Sequence, residues 1–271
     1  MDLPGYFLRA TPHFKGRGRL TYFWIHRVRN AGYRMRKLPA SGNIRCDMSV
    51  PYECMVWLGR EEENDLAALR RILKPGHRFV DCGANIGMWT LTAAAAVGAE
   101  GKVHAFEPNP ATFLKLEDNI RLNGLEGVVQ ALRVACGDCE DTKPLVCGNE
   151  HNNSRLSSHA EENAVMVRVT TLDKVLGDAF IHGIKIDVEG YEMPVLTGAN
   201  EILQRSKPWL CVEFNTILAV TNRLGDWKVH QQLRALGYAC CRMADAGATA
   251  GETLDDNWET TGYCNLFYSI P

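Results

Sequence analysis

The feature that most constrains this chain is a rhythm that begins near residue 61. Short, β-prone apolar runs at 78–81, 102–106, 128–134, 181–186, 209–214, 237–242 and 263–269 alternate with helix-length segments near 61–73, 87–98, 110–123, 191–204 and 226–236. Strands separated by helices predict an α/β fold, an open and mostly parallel sheet with helices on both faces. Punctuation agrees with this reading. Asn109-Pro110 supplies a cap followed by proline in the first helical turn, and Asn123-Gly124 supplies a left-handed stop. The stretch 136–170 breaks the rhythm. Its polar centre, Asn149 to Arg155, reads as an exposed loop between strands at 143–147 and 165–170, and long loops inside compact domains tend to be functional or disordered.

Residues 1–60 read differently from 61–271, so we divide the chain into a basic N-terminal extension and one catalytic-type domain. Residues 1–45 hold ten Lys or Arg against Asp2 alone, a net charge of +9, while the other 226 residues hold 20 against 31, a net charge of −11. Leu20, Phe23, Trp24, Val28 and Ala31 recur at helical spacing, with Arg19, His26, Arg27 and Arg29 on the other faces. Such a helix could pack on the main domain, close over a substrate as a lid, or make peripheral contact with an anionic membrane or polyanion. The longest apolar stretch, Leu91 to Ala99, is far short of the roughly 18 to 20 residues of a spanning helix. No basic segment followed by an apolar core opens the chain, so the expected compartment is the cytoplasm. There, ten cysteines are expected to be free thiols.

The chemistry gathers at the strand ends. The first strand closes as Phe79-Val80-Asp81-Cys82-Gly83-Ala84-Asn85-Ile86-Gly87 and runs straight into a helix. Glycines there let a ligand approach the backbone, and the helix start offers unpaired N–H groups. Glu107 closes the second strand, twenty residues after Gly87, where a carboxylate can accept hydrogen bonds from a ribose diol. Dinucleotides and S-adenosylmethionine (SAM) both use this arrangement. A carboxylate at the start of the turn repels a pyrophosphate and attracts a donor bearing an ammonium and a sulfonium, so Asp81 favours SAM. Asp138, after the third strand, is placed to hold an adenine amino group, or is simply a turn-forming residue.

The fourth strand delivers Lys185, Asp187, Glu189 and Glu192 within eight residues, and the fifth adds Glu213. Lys185 alternates with Ile184 and Ile186, so it is expected on the opposite face, in an ion pair with a neighbouring acid. Asp187, Glu189 and Glu213 are the candidates for a catalytic base. A divalent cation bridging these acids to a vicinal diol would do similar work, but it is not the favoured reading. Cys136, Cys139, Cys147 and His151 offer four zinc-type ligands, yet their spacing matches no zinc module, and we expect no resident metal there. His151, Asn152, Asn153 and Ser154 could reach a polar acceptor if their loop folds over the cleft.

Blocks in this order resemble the FkbM-family methyltransferases over roughly residues 61–240. They are Val80 to Gly87, Ala105-Phe106-Glu107-Pro108-Asn109-Pro110, Asn119-Ile120-Arg121-Leu122-Asn123-Gly124, Thr171-Leu172-Asp173, and Lys185 to Glu192. The resemblance implies a Rossmann-like class I SAM-dependent fold with seven strands, the last antiparallel, and O-methylation of sugar or natural-product hydroxyls. It implies a methionine-side turn from Asp81, Gly83, Asn85 and Gly87, a ribose ligand in Glu107, and a methyl-facing edge from Asp187 with Glu189. The cofactor contacts expected overall are Asp81, Gly83, Ala84, Asn85, Gly87, Glu107, Pro108, Asp138 and Asp187. The expected function is therefore SAM-dependent O-methylation of a small saccharide, glycolipid or secondary metabolite. The alternatives are N-methylation of a small molecule or peptide, a nucleic-acid modifier prompted by the basic arm and opposed by the acidic body, and a SAM-binding protein without catalysis.

Overall fold

A computed structural model describes residues 5, 7–8, 17–28, 31–148, 154–157, 164–247 and 252–271. Its centre is a seven-stranded sheet built from β3 (Arg78–Cys82), β4 (Lys102–Phe106), β5 (Val129–Leu132), β10 (Gly183–Ile186), β11 (Trp209–Asn215), β12 (Ala239–Arg242) and β13 (Tyr263–Ser269). The order across the sheet is β12-β13-β11-β10-β3-β4-β5. β13 runs antiparallel to both its neighbours, and the five strands from β11 to β5 pair in parallel. After β5 the chain crosses back to lay β10 against the other side of β3. That reversal opens a crevice at the carboxyl ends of β3 and β10, where ligands bind in such sheets.

The sheet alternates its side chains between two cores. Phe79 joins one with Trp57, Leu91 and Leu116, whereas Val80, Cys82, Ile184 and Ile186 join the other with Val195 and Leu233. Lys185 therefore faces away from its isoleucines. It sits in register between Asp81 on β3 and Cys211 on β11.

Helices α3 (Glu63–Ile72), α4 (Met88–Val97), α5 (Pro110–Leu122) and α9 (Lys228–Ala235) fall where the pattern puts them. The Asn109 side chain caps α5 by accepting from Ala111 and Thr112 N–H, with Pro110 in the first turn, and Gly124 carries φ +64°. The expected helix near 191–204 is instead two, α7 (Glu192–Thr197) and α8 (Asn200–Ser206). The break falls at Gly198, where a Cβ would lie 1.9 Å from the Gly137 carbonyl oxygen. Between them, the Thr171-Leu172-Asp173 block is a double cap. Thr171 Oγ1 caps the short α6 (Leu172–Leu176), and the Asp173 carboxylate accepts from Glu201 and Ile202 N–H at the start of α8.

The segment before residue 61 holds more structure than its pattern suggests. α1 (Arg17–Val28) is followed by an antiparallel hairpin, β1 (Tyr33–Leu38) with β2 (Gly42–Asp47), and by α2 (Pro51–Leu58). The hairpin escapes notice because a core position of β1 is filled by Arg36, which is buried and donates to the Val56 carbonyl and Glu63. Trp24, Leu38, Ile44 and Trp57 merge into the core shared by α4 and α5, so this segment packs on the sheet domain. Among the described residues of 135–170, β6 (Ala135–Cys136), β7 (Asp141–Val146), β8 (Arg155–Leu156) and β9 (Ala164–Thr170) form a second sheet in the order β6-β9-β7-β8. No helix among the described residues is long and apolar enough to cross a membrane.

Candidate active site

A cavity of about 560 Å³ lies over the carboxyl ends of the strands. The volume falls within the ordinary range for small-molecule sites. Over β3, β4 and β5 its wall is mostly backbone and apolar: Gly83, Ala84, Asn85 and Ile86, then Glu107 and Pro108, then Ala135 and Cys136. Over β10, β11 and β13 it is acidic and aromatic: Asp187, Glu189, Tyr191, Glu213, Asn215 and Tyr263. The N-terminal segment closes it with Tyr22, Ile25 and His26 from α1, Tyr52 and Met55 from α2, and Glu61 and Glu62.

The glycine turn is held by its neighbours. Gly83 and Ala84 N–H both donate to the Phe106 carbonyl. A Cβ on Gly83, at φ +83°, would lie 1.9 Å from the Asp187 carbonyl oxygen, so only glycine lets the β3 and β10 loops touch. Glu107 accepts from Asn85 N–H on Oε2 and from Asn109 N–H on Oε1, each at 2.9 Å. Each oxygen thus keeps a lone pair for a ligand hydroxyl. Burial raises the Glu107 carboxyl to about 7 against those two donors. Gly87 does not line the cavity. It carries φ +102° at the start of α4, and a Cβ there would press on Leu116 at 2.9 Å. The family block around Asn119 acquires a physical role here. The buried Asn119 donates to the Ile86 carbonyl of the turn at 2.8 Å and accepts from Arg45 N–H of the hairpin at 2.8 Å. Asn123 grips Asn43 through two further bonds of 2.7 Å.

Asp81 stands elsewhere than its expected contact with a ligand. It is fully buried beneath the turn, accepts from Thr90 Oγ1 at 2.6 Å, and leaves Oδ1 without a partner. Its neighbour in the sheet is Lys185, whose charge offsets part of the burial that raises the Asp81 carboxyl, and it is absent from the cavity wall. Asp138 is exposed after β6, is absent from the cavity wall, and among the described residues accepts from the Cys139 thiol. His151, Asn152 and Asn153 lie outside the described residues, but Ser154 reaches the cavity wall and accepts from Asn109 Nδ2 at 3.0 Å. Of the thiols weighed as zinc ligands, Cys136 is buried in the core, Cys139 is exposed and Cys147 is half-buried.

Across the cavity, Asp187, Glu189 and Glu213 bring one carboxylate oxygen each within 4.8 Å of one another. Lys185, only 3% exposed, donates to Asp187 Oδ2 at 2.9 Å and lies 5.4 Å from the Trp89 ring centroid. Burial alone would lower its ammonium, but Asp187, Asp81 and Glu62 hold it well above its ordinary value. Burial followed by the charge of Asp187 raises Glu189 to about 7, and burial with Asp187 and Glu189 raises Glu213 to about 10. Glu189 sits at φ +53°, followed by Gly190 at φ +91°. A side chain held in that region costs roughly 1–3 kcal/mol and is characteristic of functional loops. The sequence reading missed Glu61, Glu62, Tyr52 and Tyr263 as lining residues. The Glu61-Glu62-Glu63 run beside the first strand was the available signal.

Comparison with known proteins agrees with this architecture. The methyltransferase FkbM domain model matches residues 81–239. Methyltransferase 1 of Beauveria bassiana is 29% identical over 57% of this chain and 69% of its own length. Hexuronic acid methyltransferase AglP of Haloferax volcanii is 28% identical over 67% and 76%. The crystal structure of methyltransferase FkbM from Methylobacillus flagellatus superposes with a TM-score of 0.46 at 13% identity; 93% of this chain is aligned, spanning 60% of that one. A family match across more than half of the chain, joined to a seven-stranded sheet with one antiparallel strand, establishes that this chain belongs to the FkbM methyltransferases, SAM-dependent enzymes of the class I fold.

Proposed function

We propose that this enzyme methylates a hydroxyl of a neutral saccharide, glycolipid or secondary metabolite, with Glu189 as the base. The cofactor residues fit SAM by their chemistry: a backbone-lined turn closed by Gly83, and a carboxylate in Glu107 with acceptor capacity to spare. Gly83, Ala84, Asn85, Glu107, Pro108 and Asp187 would hold it. When bound, SAM supplies a methyl group on a cationic sulfonium. The chain's own work is to orient the acceptor and remove its hydroxyl proton.

The trio of Asp187, Glu189 and Glu213 carries this reading. Three carboxylates so close cannot all be charged in a part-buried site, and their surroundings divide the roles. Lys185 engages Asp187. Glu213 is kept protonated and can donate to an acceptor oxygen, while Glu189, near 7, takes the proton. A base with that affinity is matched to neutral pH, and proton removal of this kind contributes about 10²- to 10⁴-fold.

The acceptor side supports a polyhydroxylated ligand, since Tyr22, Tyr52, Tyr191 and Tyr263 line it with aromatic and hydroxyl groups and Asn215 adds an amide. Glu61 and Glu62 add two further carboxyl groups, both raised by burial and Glu61 to about 7, and this acid-rich wall disfavours a uronate, the acceptor class named for the Haloferax volcanii relative. The same excess of carboxylate favours an amine acceptor as the second reading. Turnover with SAM against a panel of neutral sugars, uronic acids and amines, followed by product fragmentation, separates these outcomes. Methyl on nitrogen, or a preference for uronic acids, overturns the first reading. The trio would also hold a divalent cation, and unchanged turnover of metal-stripped protein in chelator would exclude one.

A further inference from the structure

Helix α1 has three faces, and only two are accounted for. Thr21, Trp24 and Val28 are buried; Trp24 stacks on Trp57 at 5.5 Å, with the Arg34 guanidinium over both rings. Tyr22, Ile25 and His26 face the cavity. The remaining face carries Leu20 and Phe23, which are 48% and 70% exposed, and Tyr22 beside them is 62% exposed. Leu20 and Phe23 wall a shallow groove of about 250 Å³ with Phe7 and Leu8, rimmed by Arg27. Contiguous exposed apolar side chains, unlike scattered ones, mark an interaction site.

The charge around this face identifies its occupant. No acidic residue occurs between Leu3 and Cys46. Arg19 and Arg27 flank the apolar pair, and neither makes an ion pair among the described residues. Apolar and cationic groups side by side on one helix face suit an interface with acyl chains below and anionic headgroups above. A protein partner fits less well, because three or four side chains fall far short of the roughly 800 Å² per side that a stable dimer needs. A nucleic acid would use the arginines and leave Phe23 and Leu20 in water.

We propose that the Leu20–Phe23 face of α1 docks the enzyme on an anionic lipid surface. Because the adjoining face of the same helix walls the cavity, the docked enzyme holds its acceptor side within about a helix diameter, roughly 10 Å, of the headgroup layer. The proposal does not depend on which group is methylated.

Co-sedimentation of the full chain with phosphatidylcholine vesicles, with and without phosphatidylglycerol, tests it. Binding is expected only to the anionic vesicles, and it should weaken with salt. The double variant Leu20→Ser, Phe23→Ser should bind at least about tenfold more weakly. Its melting temperature and its affinity for S-adenosylhomocysteine should not change, because neither residue lines the cavity or packs in the core. Arg19→Gln with Arg27→Gln should reduce binding and flatten its salt dependence. Failure to bind anionic vesicles, equal binding by the serine variant, or a concentration-dependent dimer abolished by that variant would each overturn the proposal. Retention on an RNA oligonucleotide without vesicle binding would do the same.

Discussion

The two halves of the cavity are built on opposite principles. On the side of β3, β4 and β5, the turn's backbone and the cavity-facing carboxylate already have partners: Gly83 and Ala84 N–H bond Phe106, and Glu107 accepts from Asn85 and Asn109, while the unpartnered Asp81 Oδ1 lies buried beneath the turn. On the side of β10 and β11, Glu213 keeps a buried oxygen without a partner, and three carboxylates crowd within 4.8 Å. A ligand that is the same in every turnover suits a site completed in advance. An acceptor that must lose a proton suits a site whose charge is left unresolved until it arrives. The contrast supports the proposal that one half binds the cofactor and the other handles the acceptor's proton.

The sharpest way to break that division is to remove the proposed base. Glu189→Gln should lower kcat by about 10²- to 10⁴-fold while S-adenosylhomocysteine binds as before by calorimetry. A parallel loss of affinity would mean that the halves are one unit. Next in size is Lys185→Met. It strands the buried Asp81 and the half-buried Asp187 without the cation between them, and truncating one partner of a buried cluster costs about 3–5 kcal/mol. Thermal melts should show it, and Asp81→Asn in the same chain should recover part of the loss. Glu107→Gln should do the reverse of Glu189→Gln. It should weaken cofactor-analogue binding by about ten- to a hundredfold, as expected for one charge-assisted hydrogen bond, and leave turnover at saturation nearly intact.

Acidity sets the halves against each other over one pH window. The fold holds Glu107 and Glu189 above the ordinary value of 4.5, at about 7. Their protonated forms are thus favoured in the native state. The stability they contribute is fully present below about 4.5 and is lost as pH rises through 7. If Glu189 is the base, turnover needs its carboxylate and should climb about tenfold per unit below 7 and level off above it. Melting temperature without ligand should fall across the same range, by on the order of 5 °C. A rate that falls with rising pH would remove Glu189 from the role of base.

Much of this was legible in the chain. The strand–helix rhythm located every strand of the main sheet, and the glycine turn with Glu107 located the cavity's floor. The placement of Asp81 beneath the turn, off the cavity wall, could not be read from the chain. Sequence shows that a carboxylate begins the turn but not that β10 sets Lys185 directly beside it. The hairpin of residues 33–47 stayed hidden because Arg36 occupies a core position, and the lining residues of α1 and α2 because they approach through tertiary packing alone. Glu213, by contrast, was readable as a strand-end acid, although its unpaired oxygen was not.

The smallest expected effect tests how the two regions communicate. Asn119 is bonded both to Ile86 in the glycine turn and to Arg45 in the hairpin whose following helix carries Tyr52 and Met55 to the acceptor side. Asn119→Ala removes both contacts and leaves a buried carbonyl without a donor, which costs about 1–3 kcal/mol of stability. If the turn is held chiefly by Phe106 and Glu107, analogue affinity should fall by no more than about threefold, less than the 1.4 kcal/mol that a tenfold change represents. A larger fall, with the melting temperature little changed, would show that the N-terminal segment sets the turn's geometry as well as the cavity's outer wall.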